Sequence, residues 1–251
     1  MRTEGTLTTT TTTTTRPPAR GYAPYAALAL VHLIALAGGA TALAALSKVA
    51  LMPVLYLSVK QTTRQPVARW WTAAIALSWL GDIFLLPQDG GRLGISAESA
   101  FLLGLASFLL AHICYIRRAG SLRRATATWA RRGCAVLAAA LFFAALALVP
   151  WALVVATPVL PAAAVYAAVL LAMAVTVGRL ARERPAYRYA ALGAGLFVVS
   201  DALIGLGLVR PGLVAAPWRQ VAVMATYVLA QAGLSGLAYA PGDPQAGPVV
   251  A

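Results

Sequence analysis

Long apolar runs, broken by short basic or turn-rich segments, set the pattern of this sequence. From Tyr22 to Val59 the only charge is Lys48. That stretch is too long for one membrane-crossing helix and just long enough for two short ones. Gly38-Gly39 marks the point where the first weakens, which predicts helices at 22–41 and 46–60, the second with Pro53 inside it. Further apolar runs predict helices at 67–86, opened by Trp70 and Trp71 as interfacial anchors, and at 97–116, 133–150, 158–178, 188–208 and 218–239. Pro87 to Gly94 reads as a turn-rich loop and 117–132 as a basic loop. Alternating ten-residue strands are absent, which argues against a β-barrel. The expected fold is all-α: a polytopic membrane bundle of eight transmembrane helices over residues 21–240.

The flanks differ in kind. Residues 1–20 carry the run Thr8 to Thr15, a tract that cannot bury a core and is expected to be disordered. No small-residue cleavage site follows it at a suitable distance, so the first apolar run is expected to be retained as a helix. The end, PGDPQAGPVVA at 241–251, reads as a loose tail.

Composition strengthens the membrane reading. The chain is 61% hydrophobic and 11% charged, against about 45–50% and about 25% for soluble domains. The net charge of +13 does not indicate nucleic acid, because the arginines sit in short loops where topology rules place them. With eight helices and both termini cytoplasmic, the outer loops hold only Arg92, Arg210 and Arg219, Lys48 lies in a helix, and every other lysine and arginine falls inside. Arginine- and alanine-rich usage points to a bacterial chain, and so to a multi-pass protein of the bacterial cytoplasmic membrane. Cys114 and Cys134 form no disulfide framework or metal-ligand spacing. Neither an HExxH motif nor a Gly-rich phosphate loop occurs. No metal, cofactor or protein partner is therefore expected.

Candidate chemistry rests on acids in the wrong place for a lipid-embedded chain. Of Glu4, Asp82, Asp89, Glu98, Glu183, Asp201 and Asp243, only Asp82 and Asp201 fall deep within apolar runs. A carboxylate there is costly and marks a functional site by default. Both predicted helices run outward, placing the acids about 6 and 10 Å below the outer end at about 1.5 Å per residue. Ser78 and Asp82 share a face at i, i+4, as do Gly193, Phe197, Asp201 and Gly205. Ser200 accompanies Asp201. Lys48 lies at comparable depth and can neutralise one acid or snorkel to the interface. Phe101, Gly104, Phe108, His112 and Tyr115 form a stripe, and Tyr227 and Gln231 another pair at i, i+4. His112 suits an interhelical hydrogen bond better than a catalytic base.

Five stretches, SKVALMP, SWLGDIFLL, FLLGLASFLLAHICYI, LFVVSDALIG and YVLAQAGL, occur in this order at the predicted spans. In these the chain resembles the lysoplasmalogenase, or YhhN-like, family over almost its whole length after the Thr tract. It departs from the family's adjacent Lys-Pro: Val49 follows Lys48, and the proline comes at Pro53. The resemblance implies an eight-helix enzyme that hydrolyses the vinyl ether of lysoplasmalogens. Its substrate would be a membrane lipid, and its products a fatty aldehyde and glycerophosphoethanolamine or glycerophosphocholine. The catalytic residues would be Asp82 and Asp201, with Lys48, His112, Tyr115, Ser200, Tyr227 and Gln231 around the substrate.

The residues suit that reaction. Protonating a vinyl ether carbon creates an oxocarbenium ion, so the site needs a neutral acid and a nearby anion, as paired carboxyls supply in glycosidases. Which aspartate is the acid stays open at this level. A proton-coupled lipid or small-molecule transporter would use the same intramembrane aspartates. The chain shows no inverted repeat of the kind many transporters carry.

Overall fold

The computed structural model describes residues 19–62, 66–86, 94–123, 159–209 and 215–239. Among them every regular element is helical. The α-helices are α1 (Ala23–Ala37), α2 (Thr41–Gln61), α3 (Arg69–Phe84), α4 (Ala97–Leu122), α5 (Val159–Glu183), α6 (Arg188–Val209) and α7 (Ala216–Leu234). Single 3-10 turns precede α1 and α6 and follow α7. The helix expected at 133–150 and both tails beyond residues 19–239 lie outside the described residues.

Among the described residues, five helical stretches are long and apolar enough to cross a membrane: Thr41–Gln61, Ala97–Leu122, Pro161–Glu183, Pro185–Gly207 and Pro217–Leu237. The chain is thus a multi-helix membrane protein. α1 and α3 have 15 and 16 residues, short of the roughly 20 that a full crossing takes. The outer surface agrees with lipid contact: Leu30, Ile34, Leu46, Leu192 and Leu229 point outward, 58 to 71% exposed. In water such a girdle would be an association hazard; in hydrocarbon it is neutral.

Several boundaries differ from the expected ones, for local reasons. α1 stops at Ala37, not residue 41, because Gly39 adopts φ +70°, a conformation cheap only for glycine. The Gly39 and Ala40 N–H groups then return to the carbonyls of Leu36 and Ala35. This satisfies the helix end and lets α2 begin at Thr41, five residues earlier than expected. α4 continues to Leu122, through Arg117 and Arg118. Cations are welcome near a helix C-terminus, and Arg118 Nε donates to the Leu237 carbonyl at 2.7 Å.

The described helices pack in a ring. Each contacts its sequence neighbour, and α1 returns to α7, where Tyr25 donates to the Val228 carbonyl at 2.9 Å and the Tyr22 and Ser235 hydroxyls meet at 2.6 Å. α6 and α7 cross most closely at Gly193 and Gly233. A Cβ on Gly193 would lie 2.6 Å from the Ala230 carbonyl oxygen, so the backbones touch only because neither residue has a side chain. α4 and α5 run in the same direction. Their starts share one cavity, and at their ends Arg123 pairs with Glu183. One end of the ring therefore gathers Lys60, Arg69, Arg117, Arg118, Arg123, Arg179, Arg182, Arg184 and Arg188. The other holds Lys48 and Arg219 among the described residues.

Candidate active site

A cavity of about 410 Å³ opens at the cation-poor end, where α3 and α6 finish and α2, α4, α5 and α7 begin. Its wall is mostly apolar, and Lys48, Asp82, Tyr166, Asp201 and Tyr227 are the main polar groups on it. Two acids more than a hundred residues apart in sequence thus face one space. Phe108, Phe197 and Tyr227 meet edge to face, with ring centroids 5.5 to 6.1 Å apart, and form an aromatic wall shared by the surroundings of both acids.

Each acid has its own partners. Asp82 on α3 accepts a hydrogen bond at 2.7 Å from Tyr227 on α7, and its other oxygen lies 3.8 Å from the Lys48 ammonium on α2. Lys48 also donates to the Leu85 carbonyl at 3.5 Å, one of the orphan carbonyls at the end of α3. Behind Tyr227 a directed chain continues. Gln231 Nε2 donates to the Tyr227 hydroxyl at 3.3 Å, and Tyr115 donates to Gln231 Oε1 at 2.7 Å. Every donor in this chain points toward Asp82, so the dipoles add up at the carboxylate.

Asp201 on α6 has no such cation beside it among the described residues. Its Oδ2 is hydrogen-bonded by Tyr166 of α5, and the Tyr166 hydroxyl meets His112 Nε2 of α4 at 3.0 Å. A tyrosine has one proton to give. When it goes to Asp201, His112 must donate from Nε2, and its buried Nδ1 has no partner among the described residues.

The residues expected around the site therefore separate. Lys48, Asp82, Ser200, Asp201 and Tyr227 line the cavity. His112, Tyr115 and Gln231 stand behind it and hold the residues that do. Ser200 lines the cavity, but its hydroxyl donates to the Val223 carbonyl at 3.0 Å and ties α6 to α7. Ser78 is buried one turn below Asp82, its hydroxyl without a partner among the described residues. Gly193 of the expected stripe serves the helix crossing, whereas Gly205 borders the cavity.

Sequence reasoning missed Tyr166 and the buried contact of His32 Nδ1 with the Ser47 hydroxyl at 2.9 Å. A signal for Tyr166 was present: it is the one aromatic residue between Val159 and Arg179, in mid-span, away from any interfacial belt. A buried tyrosine hydroxyl needs a partner, and Asp201 is that partner.

Comparison with curated proteins returned no match, and neither did comparison with solved structures. A model of the YhhN family matches residues 43–237, a stretch that runs from α2 through α7 and includes every residue lining the cavity. The chain belongs to the YhhN family.

Proposed function

We propose that this chain is a lysoplasmalogenase-like hydrolase that cleaves the vinyl ether of a single-chain membrane lipid to a fatty aldehyde and a glycerophospho head group. One observation carries the reading: Asp82 and Asp201 line a single apolar cavity, the first with a cation beside it and the second with none among the described residues. That asymmetry is what the reaction requires. Asp82, beside Lys48 and at the end of a donor chain, is suited to stay an anion. Asp201, bonded to the neutral Tyr166, is suited to carry a proton.

In this mechanism Asp201 delivers its proton to the alkene carbon remote from the ether oxygen. The alkene electron pair forms the new C–H bond and leaves an oxocarbenium ion, which the Asp82 carboxylate stabilises across the cavity. Water adds to the cationic carbon and gives up a proton, which restores the acid. The hemiacetal then loses its hydroxyl proton, its glycerol oxygen gains one, and the C–O bond breaks. One water is consumed and no net proton. Tyr166, bonded to both Asp201 and His112, is placed to return the proton to Asp201. Tyr166→Phe keeps the ring and removes that link. It is expected to lower turnover by about 10- to 100-fold, the worth of one hydrogen bond to an ionisable group. Turnover equal to wild type would remove Tyr166 from the proton path.

The test of the function is incubation of the purified protein with lysoplasmalogen and measurement of free aldehyde. Movement of intact lipid between vesicles without aldehyde would favour the transporter reading of the same acids.

The same reading places the protein in the bacterial cytoplasmic membrane with eight spans and both termini cytoplasmic. Parallel neighbours such as α4 and α5 need an odd number of crossings between them, which supports the span expected at 133–150. The Tyr22–Ser235 contact puts both ends of the described chain at the cation-rich end, the inner end by the positive-inside rule. A reporter fused after Ala251 is expected to read cytoplasmic; a periplasmic signal would reverse the orientation.

A further inference from the structure

Pro53 stands inside α2. Lacking an N–H, it leaves the carbonyl of Val49, four residues earlier, without its helical donor. A carbonyl stranded among apolar neighbours needs another partner. Here the partner is the Trp79 indole of α3, whose Nε1 donates to Val49 O at 2.8 Å. Val49 adjoins Lys48, and Trp79 lies one turn before Asp82, on the same side of α3. The bond therefore joins the two helices at the level of the ion pair. Lys48 and Asp82 are 3.8 Å apart, near the limit of contact. A slide of α2 along α3 by one residue's rise, about 1.5 Å, would carry them out of reach.

We propose that Pro53 and Trp79 form a two-part latch that seats Lys48 against Asp82: Pro53 frees the Val49 carbonyl, and Trp79 takes it. Trp79 is thus a positioning residue that acts through Lys48. The catalytic meaning of the latch rests on the carboxylate reading above, while its geometry stands apart from it.

Lys48 and Lys60 are the only lysines in the chain. Lys60 is exposed at the end of α2 and serves as an internal reference. The experiment is brief acylation of the full-length protein in detergent with a small amine-reactive ester, read by mass spectrometry as the Lys48-to-Lys60 labelling ratio. Trp79→Phe keeps most of the ring packing and removes the donor. It is expected to raise the ratio about two- to tenfold, the range for one net hydrogen bond. Pro53→Ala restores an N–H in register with Val49 that competes with Trp79 for the carbonyl. The double variant Pro53→Ala/Trp79→Phe, with the carbonyl satisfied inside α2 but no bond between the helices, is therefore expected to keep the raised ratio. If Trp79→Phe inserts poorly, recovery of insertion in the double variant is the readout.

An unchanged ratio in Trp79→Phe, or a wild-type ratio in the double variant, would overturn the latch. Aldehyde release is measured on the same samples. A wild-type protein that releases none defeats the proposed reaction, whereas the labelling ratio judges the latch by itself.

Discussion

Replacing either Asp82 or Asp201 with asparagine is expected to lower aldehyde release at least about 100-fold while the protein still inserts. A positioned general acid contributes about 10²–10⁴-fold, and charge stabilisation in a dry site about 2.7–4 kcal/mol. Asparagine keeps the volume, and its carbonyl can still accept from Tyr227 or Tyr166, so lost packing does not account for such a drop. The two acids act on one substrate in one cavity. The double variant is therefore expected to be little worse than the worse single one, since residues acting as a unit are not additive. His112→Gln, one step behind Tyr166, is expected to cost less. Near-normal release in either asparagine variant removes that aspartate from the chemistry and leaves it a structural group.

The second large effect falls on Lys48. Taking away one member of a buried ion pair strands the other, a cost of about 3–5 kcal/mol. At 3.8 Å and with 15% of the lysine side chain exposed, the low end of that range applies. Lys48→Met is expected to lower the thermal midpoint in detergent, and adding Asp82→Asn is expected to restore most of it by removing the stranded charge. Activity stays lost in both. A Lys48→Met protein as stable as wild type would show that the pair carries no stability and that Lys48 merely reaches for the interface.

The sequence made the acids easy to find and their partners hard. A carboxylate inside an apolar run contradicts its surroundings, so Asp82 and Asp201 stood out without any structure. Tyr166 contradicts nothing, because tyrosine is tolerated in a membrane helix, and only the approach of α5 to α6 shows where its hydroxyl goes. The same holds for Pro53. The proline is visible in sequence, but the donor that answers it comes from another helix. Helix ends failed for a different reason. Between Tyr22 and Val59 the turn is Gly38-Gly39-Ala40. The polar residue beside it, Thr41, lies already inside α2, where no side chain caps the helix start, and the turn's own N–H groups satisfy the last carbonyls of α1. Arg117 and Arg118 read in sequence as the start of a loop because charge marks the edge of an apolar span, whereas α4 carries them through its last turns.

The ring geometry bears on how the chain enters the membrane. A helix inserted during synthesis meets first the helix made just before it. Asp82 on α3 finds Lys48 on α2, the helix immediately upstream. Asp201 on α6 finds Tyr166 on α5, again immediately upstream. Tyr227, the other partner of Asp82, arrives only with α7. Each acid therefore leaves water with one partner already waiting, which lowers the cost of passing a carboxyl into hydrocarbon. When the helices enter in the order of synthesis, the site is completed by α7, the last of the described helices.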